Sequence, residues 1–108
     1  MAPAYFLLAT LFAGIGTTAV AQDPGNAGKG RIFAEKICAE CHAVGSQRAR
    51  SPFAAVASFK EIANSPGMSE IALSVWLRTP HKTNMPNLVL EPNDREDVIA
   101  YIVSLRDR

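Results

Sequence analysis

Apolar residues recur at helical spacing along most of the chain, and no useful stretch shows the alternation of a β-strand. The strongest pattern lies near the C-terminus. Asn93 is the predicted N-cap of this helix, with Glu96 three residues later completing a capping box, and Arg106 suits the negative end of the dipole. The predicted apolar face of this last helix consists of Val98, Ile99, Ile102, Val103 and Leu105.

A second pattern predicts a helix from Glu70 to Arg78. Ser69 can cap its N-terminus, and Pro80 closes the segment because proline cannot continue a helix. The predicted buried side consists of Ile71, Val75, Trp76 and Leu77.

The remaining pattern predicts short elements joined by ordered loops. A helix is expected from about Ala27 to Ala39, and residues 53–62 fit a short helix or a packed irregular segment. Residues 45–52 form a polar, basic loop, residues 64–67 a turn, and residues 80–92 a proline-rich but ordered loop. The first helix should have one face containing Ile32, Phe33, Ile37 and Cys38. Together these patterns predict an all-α protein of three to five short helices.

The beginning of the chain differs in composition from the rest. Residues 1–21 carry no charged side chain, residues 5–15 are apolar, and Ala19-Val20-Ala21 is a small-x-small cleavage signal. We therefore expect a secretory signal peptide over residues 1–21, cleaved after Ala21, and one domain over residues 22–108. The segment departs from the signal-peptide pattern in one respect, since no basic residue precedes the apolar run. An uncleaved anchor is the alternative, although the glycines and threonines that follow the run suit a membrane helix poorly.

Composition narrows the function classes. The chain has 108 residues and a formal net charge of +1, with charges of both signs interspersed, so we expect no nucleic-acid partner. A domain this small buries a limited fraction of its surface and usually gains stability from a covalent link or a cofactor.

The candidate chemistry lies in Cys38-Ala39-Glu40-Cys41-His42, which contains both cysteines and one of the two histidines. Cys-x-x-Cys-His is the attachment sequence for c-type haem. Two thiols at this spacing can each add to a haem vinyl group and form a thioether, and the imidazole that follows can bind the iron. The motif predicts one haem, attached covalently through Cys38 and Cys41 and ligated by His42.

The motif has three other possible interpretations. A thioredoxin-like pair should follow a strand in a βαβ pattern, and no such strand is visible before Cys38. A zinc site needs four ligands, and only Cys38, Cys41, His42 and His81 could provide them. A disulfide between Cys38 and Cys41 would close too small a loop to add much stability.

The second axial ligand has three candidates: Met85, Met68 and His81. Met85 lies between Asn84 and Pro86 in the proline-rich loop, and its thioether is a soft donor of a kind that haem iron accepts. Met68 follows a turn at a helix start, where a methionine commonly fills a gap in the core. His81 has the character of an exposed loop residue, so Met85 is the predicted ligand.

With these residues together, the chain resembles the small bacterial class I cytochromes c over residues 28–105. The resemblance rests on Gly30 and Phe33, the Cys-x-x-Cys-His motif, Asn84-Met85-Pro86, and the segment from Asp97 to Ile102. It implies the cytochrome c fold, in which the N- and C-terminal helices cross. Gly30 and Phe33 would then meet the last helix near Tyr101, where a residue without a side chain allows a close approach.

The resemblance also implies two further haem contacts. The carbonyl of Pro52 would accept a hydrogen bond from the His42 ring, although Pro52 could be a plain turn residue. Trp76 would donate its indole N–H to a haem propionate, although packing in the core is an equal alternative. Arg48 and Arg50 could pair with propionates or steer an acidic partner, and neither role is assigned.

The function implied is electron transfer in the periplasm, not enzymatic catalysis. Two protein ligands on the iron favour a ferric–ferrous cycle over binding of a small ligand. We expect a monomer that meets a donor and an acceptor protein transiently, which allows peripheral contact with membrane respiratory complexes. The alternatives are a dedicated haem subunit of a periplasmic dehydrogenase or oxidase, and a five-coordinate gas-binding or peroxidatic haem protein.

Overall fold

The computed structural model describes residues 2–3, 11, 13–17, 24–47, 49–79 and 88–108. These residues form four α-helices and one 3₁₀ turn, and they contain no strand, which confirms the all-α prediction. The elements are α1 (Ala27–Lys36), the 3₁₀ turn (Cys38–Glu40), α2 (Phe59–Asn64), α3 (Glu70–Arg78) and α4 (Pro92–Ser104). Within the same ranges, no helix has the length and hydropathy that crossing a bilayer requires.

The first helix is shorter than predicted and buries a different face. Asn26 caps its N-terminus by accepting a hydrogen bond from the backbone N–H of Lys29 at 2.9 Å. The α-helix ends at Lys36, and the chain tightens into the 3₁₀ turn that contains Cys38. The buried residues of α1 are the small ones, Gly30 and Ala34, whereas Ile32 is exposed. Phe33 and Ile37 are partly buried whereas Ile32 is exposed, so the predicted apolar face is buried only in part, because the close approach of another helix selects for small side chains there.

The second helix occupies only the end of the predicted segment 53–62. Ser58 and Glu61 form a capping box, with hydrogen bonds of 3.1 Å to the backbone N–H of Glu61 and 2.9 Å to that of Ser58. The turn that follows contains Gly67, whose φ of 76° is a conformation that glycine adopts without strain. The predicted turn at residues 64–67 is thus confirmed.

The third helix has the predicted bounds, and Ser69 caps it by accepting a hydrogen bond from Ala72 N–H at 3.0 Å. The prediction of which side chains of this helix are buried was wrong in part. Leu73 is buried and Leu77, one turn later, is partly buried against the core. The side chains that prove to be exposed are Ile71, Val75 and Trp76. Leu73 and Leu77 are four residues apart and share a face, whereas Ile71 and Val75 form a row on the other side of the helix.

The last helix begins one residue earlier than the predicted cap. Pro92 occupies its first turn and Glu91 is the N-cap, with no side-chain capping hydrogen bond. The prediction of Asn93 as the N-cap was wrong because proline has a fixed φ and no N–H, both of which suit the first helical position. The predicted core face is otherwise confirmed, with buried side chains at Val98, Ile99, Ile102 and Leu105, and Tyr101 joins it.

The central packing contact of the fold is the crossing of α1 and α4. A Cβ atom at Gly30 would lie 1.9 Å from the carbonyl oxygen of Asp97 and 2.9 Å from the Cβ of Tyr101. The two backbones are therefore in contact, with no room for a side chain between them. Asp97 also accepts a hydrogen bond at 2.7 Å from the backbone N–H of Asn26, which fixes the start of α1. The predicted meeting of Gly30 with the last helix near Tyr101 is confirmed.

Replacing Gly30 with alanine should destabilise the haem-loaded protein by about 1–3 kcal/mol, because the backbone of α4 must move to admit the methyl group. Urea unfolding measures this. Gly28→Ala is the matched control on the same helix, since its Cβ would meet no backbone of another helix and only the side-chain Oδ1 of Asn26, at 3.3 Å. Equal stability of wild type and Gly30→Ala would contradict the close crossing.

Candidate haem site

The Cys-x-x-Cys-His segment forms one compact turn directly after α1. The carbonyl of Cys38 accepts hydrogen bonds from the backbone N–H of Cys41 at 3.2 Å and from that of His42 at 2.9 Å. Both cysteines are free thiols and both are partly buried. The turn thus brings two thiols and an imidazole into the same short stretch of backbone, as the motif predicts.

The environment of Cys38 favours an uncharged sulfur. Burial raises the pKa of its thiol to about 11, so the neutral form dominates at physiological pH. Redox-active cysteine pairs and zinc ligands need the opposite, a thiolate made accessible by a lowered pKa. Because a thioether carries no charge, a sulfur in this position suits covalent attachment of an organic group.

The zinc interpretation requires a cluster of ligands. Among the described residues, no group of three or more His, Cys, Asp or Glu side chains is arranged to hold a metal ion. His81, the remaining candidate ligand, lies outside the described residues.

The His42 ring is oriented by a backbone carbonyl. Its Nδ1 lies 2.6 Å from the carbonyl oxygen of Ala57. A carbonyl oxygen only accepts, so Nδ1 must carry the proton and donate it. In the neutral imidazole the lone pair is then on Nε2, as an iron ligand requires, and the hydrogen bond orients the ring.

The identity of this carbonyl corrects the expectation for Pro52. Pro52 is exposed in the loop, and the carbonyl beside His42 is that of Ala57, immediately before the cap of α2. The hydrogen bond from Phe59 N–H to the Ala43 carbonyl, at 2.9 Å, aligns the start of α2 with the residue after His42. That pairing places Ala57 next to the imidazole.

Ala43 closes the base of the loop between the motif and α2. Its N–H donates to the Ser51 hydroxyl at 3.0 Å, and its carbonyl accepts the hydrogen bond from Phe59. Sequence reasoning missed Ser51, Ala57 and Phe59 as parts of the site. Ala57 contributes its backbone carbonyl and Phe59 its backbone N–H. Because every residue type has a carbonyl and nearly every one an N–H, such contacts leave no signature in a single sequence.

An aromatic contact joins the site to the core. The ring of Phe59 lies between His42, at 5.4 Å between centroids, and Tyr101, at 6.3 Å. The Tyr101 hydroxyl donates a hydrogen bond to the Val44 carbonyl at 2.5 Å. Burial raises the pKa of Tyr101, which keeps the hydroxyl protonated as the donor.

The structure describes only some of the other predicted site residues. Met85 lies outside the described residues, as does Arg48. Trp76 is on α3 and 64% exposed, so the alternative of core packing is wrong. Its predicted hydrogen bond to a propionate stays a prediction. The structure brings together Cys38, Cys41 and His42, and this part of the predicted site fits a covalently held haem.

A short helical chain with crossing terminal helices and a Cys-x-x-Cys-His turn after the first of them defines a class of haem proteins. The family model for cytochrome c matches residues 27–106, and the chain belongs to the cytochrome c family. It is 38% identical over 90 residues to cytochrome c-552 of Bradyrhizobium diazoefficiens, covering 83% of this chain and 82% of that protein. No solved structure matches the chain. These similarities identify a class I monohaem cytochrome c with the cytochrome c fold.

Family membership agrees with the chemistry of the turn. A cytochrome c domain implies covalently bound haem c, and the two cysteines have the required spacing. Members of the family are electron-transfer proteins, so the chain is an electron carrier.

Covalent attachment should depend on both cysteines. The double variant Cys38→Ala/Cys41→Ala should lose all haem staining after denaturing electrophoresis, because no thioether can form. Glu40→Gln is the matched control within the motif, since the exposed Glu40 contributes no sulfur and should keep full staining. A wild-type band without stain, or a stained double variant, would contradict covalent attachment.

Proposed function

We propose that the protein is a periplasmic electron carrier with a single c-type haem whose axial ligands are His42 and Met85. The observation that carries this proposal is the 2.6 Å contact from His42 Nδ1 to the Ala57 carbonyl. It fixes the tautomer that an iron-binding imidazole needs, one residue after a cysteine pair of the correct spacing.

Each of the proposed haem-binding residues has one role. Cys38 and Cys41 hold the haem through thioethers, His42 provides one axial nitrogen, and Met85 the axial sulfur. The haem supplies a one-electron iron couple, and the protein supplies binding, burial and electrostatics. With both axial positions filled by protein, electron transfer is favoured over binding of a small ligand, and a thioether ligand raises the reduction potential.

The case for Met85 comes from the sequence. It stands in a proline-rich segment between α3 and α4, where Pro86 stiffens the backbone beside it. Its competitor Met68 is partly buried against the apolar core. A methionine that already fills core space would have to leave it to bind iron.

The proposed location rests on the first 21 residues. An apolar stretch followed by Ala19-Val20-Ala21 has the form of a signal peptide that is removed after export. Export fits the cofactor, since c-type haem is attached outside the cytoplasm. The carrier domain would then be residues 22–108.

The partners proposed are a donor and an acceptor protein that each bind transiently, the carrier itself being a monomer. Arg50 is exposed in the loop after the haem turn and could steer an acidic partner surface, together with Arg48 and Lys82. Because the formal net charge is only +1, such steering would have to come from these individual residues and not from the charge of the whole molecule. Trp76 is proposed as a donor to a haem propionate.

One observation favours a second candidate, a dedicated haem subunit of a periplasmic oxidoreductase. Ile71 and Val75 lie one turn apart on α3 and are 78% and 60% exposed. A permanent partner would need an apolar surface of this kind, although two side chains make a small patch. Co-purification of the native protein with a stoichiometric partner, lost in Ile71→Ser/Val75→Ser, would favour this candidate.

The axial pair is tested by absorption spectroscopy of the purified holoprotein. Ferric wild type should show the weak band at the red end of the visible range that accompanies a methionine–iron bond, and Met85→Ala should lose it. Met68→Ala is the control and should keep the band, since its side chain belongs to the core. A high-spin wild type that binds carbon monoxide readily would contradict the proposal, as would loss of the band in Met68→Ala alone.

A further inference from the structure

Phe59 lies between the proposed axial ligand and the last helix. Its ring centroid is 5.4 Å from that of His42, with the ring planes inclined at 56°, and 6.3 Å from that of Tyr101, inclined at 53°. Its backbone N–H is hydrogen-bonded to the Ala43 carbonyl, and its side chain is buried. A change in the position of the ring would therefore alter its contacts with both His42 and Tyr101.

Tyr101 holds the other side of this arrangement. Its hydroxyl donates to the carbonyl of Val44, two residues after His42, in a buried hydrogen bond. Its Cβ lies at the crossing of α1 and α4, where Gly30 allows contact between the two helices. The backbone after the imidazole is thus connected to the most closely packed part of the molecule.

The hydrogen bond to Ala57 cannot by itself fix the orientation of the His42 ring. One donor–acceptor contact sets the tautomer and the direction of Nδ1, but it leaves rotation about the Nδ1···O line open. Further contacts on the ring are needed to fix its tilt. Phe59 provides one such contact, with the inclined geometry that aromatic pairs prefer.

We propose that Phe59 is a positioning residue that fixes the tilt of the His42 imidazole, and that Tyr101 holds both Phe59 and the backbone after His42. The inference rests on the proposed function, since it takes His42 as the axial ligand. The orientation of an axial imidazole plane determines how its π orbitals overlap with the iron d orbitals. It therefore determines how unpaired spin is distributed over the haem in the ferric state.

The test is proton NMR of the ferric haem-loaded protein, because the haem methyl resonances report that spin distribution. Phe59→Leu should change the order or spacing of the methyl resonances, since the contact on the imidazole ring is lost. Tyr101→Phe should shift them in the same direction by less, since it keeps the ring and removes only the hydroxyl. Val98→Ala is the control: it removes buried volume from the same helix without removing a ring or a hydrogen bond, and should leave the methyl pattern unchanged.

Three results would overturn the proposal. Unchanged methyl shifts in Phe59→Leu would show that the ring does not orient the imidazole. Equal shifts in Val98→Ala and in Phe59→Leu would assign the effect to general loosening of the core. If Phe59→Leu does not accumulate, Tyr101→Phe decides, and a wild-type methyl pattern in that variant would refute the role of Tyr101 in holding the site.

A different result would contradict the proposed function. A wild-type ferric protein without a low-spin spectrum would contradict ligation by His42 and Met85, and would remove the basis of the positioning role. A low-spin wild type with variants that do not shift would leave the electron-carrier proposal intact and refute only the role of Phe59.

Discussion

The backbone contact between α1 and α4 at Gly30 is the constraint on which the rest of the structure depends. A methyl group there would come within 1.9 Å of the Asp97 carbonyl, so the two helices are as close as their backbones permit. This approach places Tyr101 against the haem turn, where its hydroxyl reaches the Val44 carbonyl. Through Phe59 the same contact extends to the imidazole of His42. The packing of the terminal helices and the geometry of the site therefore depend on each other, because a shift in the crossing moves residues that touch His42, the proposed axial ligand.

Much of this arrangement could be predicted where side-chain chemistry is local. The bounds and cap of α3 followed from Ser69 and the apolar spacing, and the thiols and imidazole of the haem turn followed from their order in the chain. The crossing at Gly30 came from the family resemblance. The start of α4 was misplaced because Asn93 and Glu96 imitate a capping box, whereas Pro92 takes the first helical position without one.

The errors share a physical origin. Ile71, Val75 and Trp76 were expected to be buried because they are apolar, but a helix has two sides and Leu73 with Leu77 occupies the one that meets the core. Pro52 was expected beside His42 because the family resemblance implied that its carbonyl accepts from the imidazole. The actual partner is the backbone carbonyl of Ala57. Every residue type has a backbone carbonyl, so the identity of residue 57 does not predict the contact.

The main-chain acceptor at residue 57 affects which sequence changes the protein tolerates. Because the acceptor at residue 57 belongs to the main chain, exchanging its side chain leaves the acceptor atom in place. What the site constrains is the path of the loop between Ala43, which pairs with both Ser51 and Phe59, and the cap of α2. Inserting or removing a residue between Ala57 and Phe59 would put a different carbonyl beside the imidazole or none at all. Residue 57 is thus permissive in side chain and strict in its spacing from Phe59, the reverse of the Cys-x-x-Cys-His turn, whose reactive side chains cannot be exchanged.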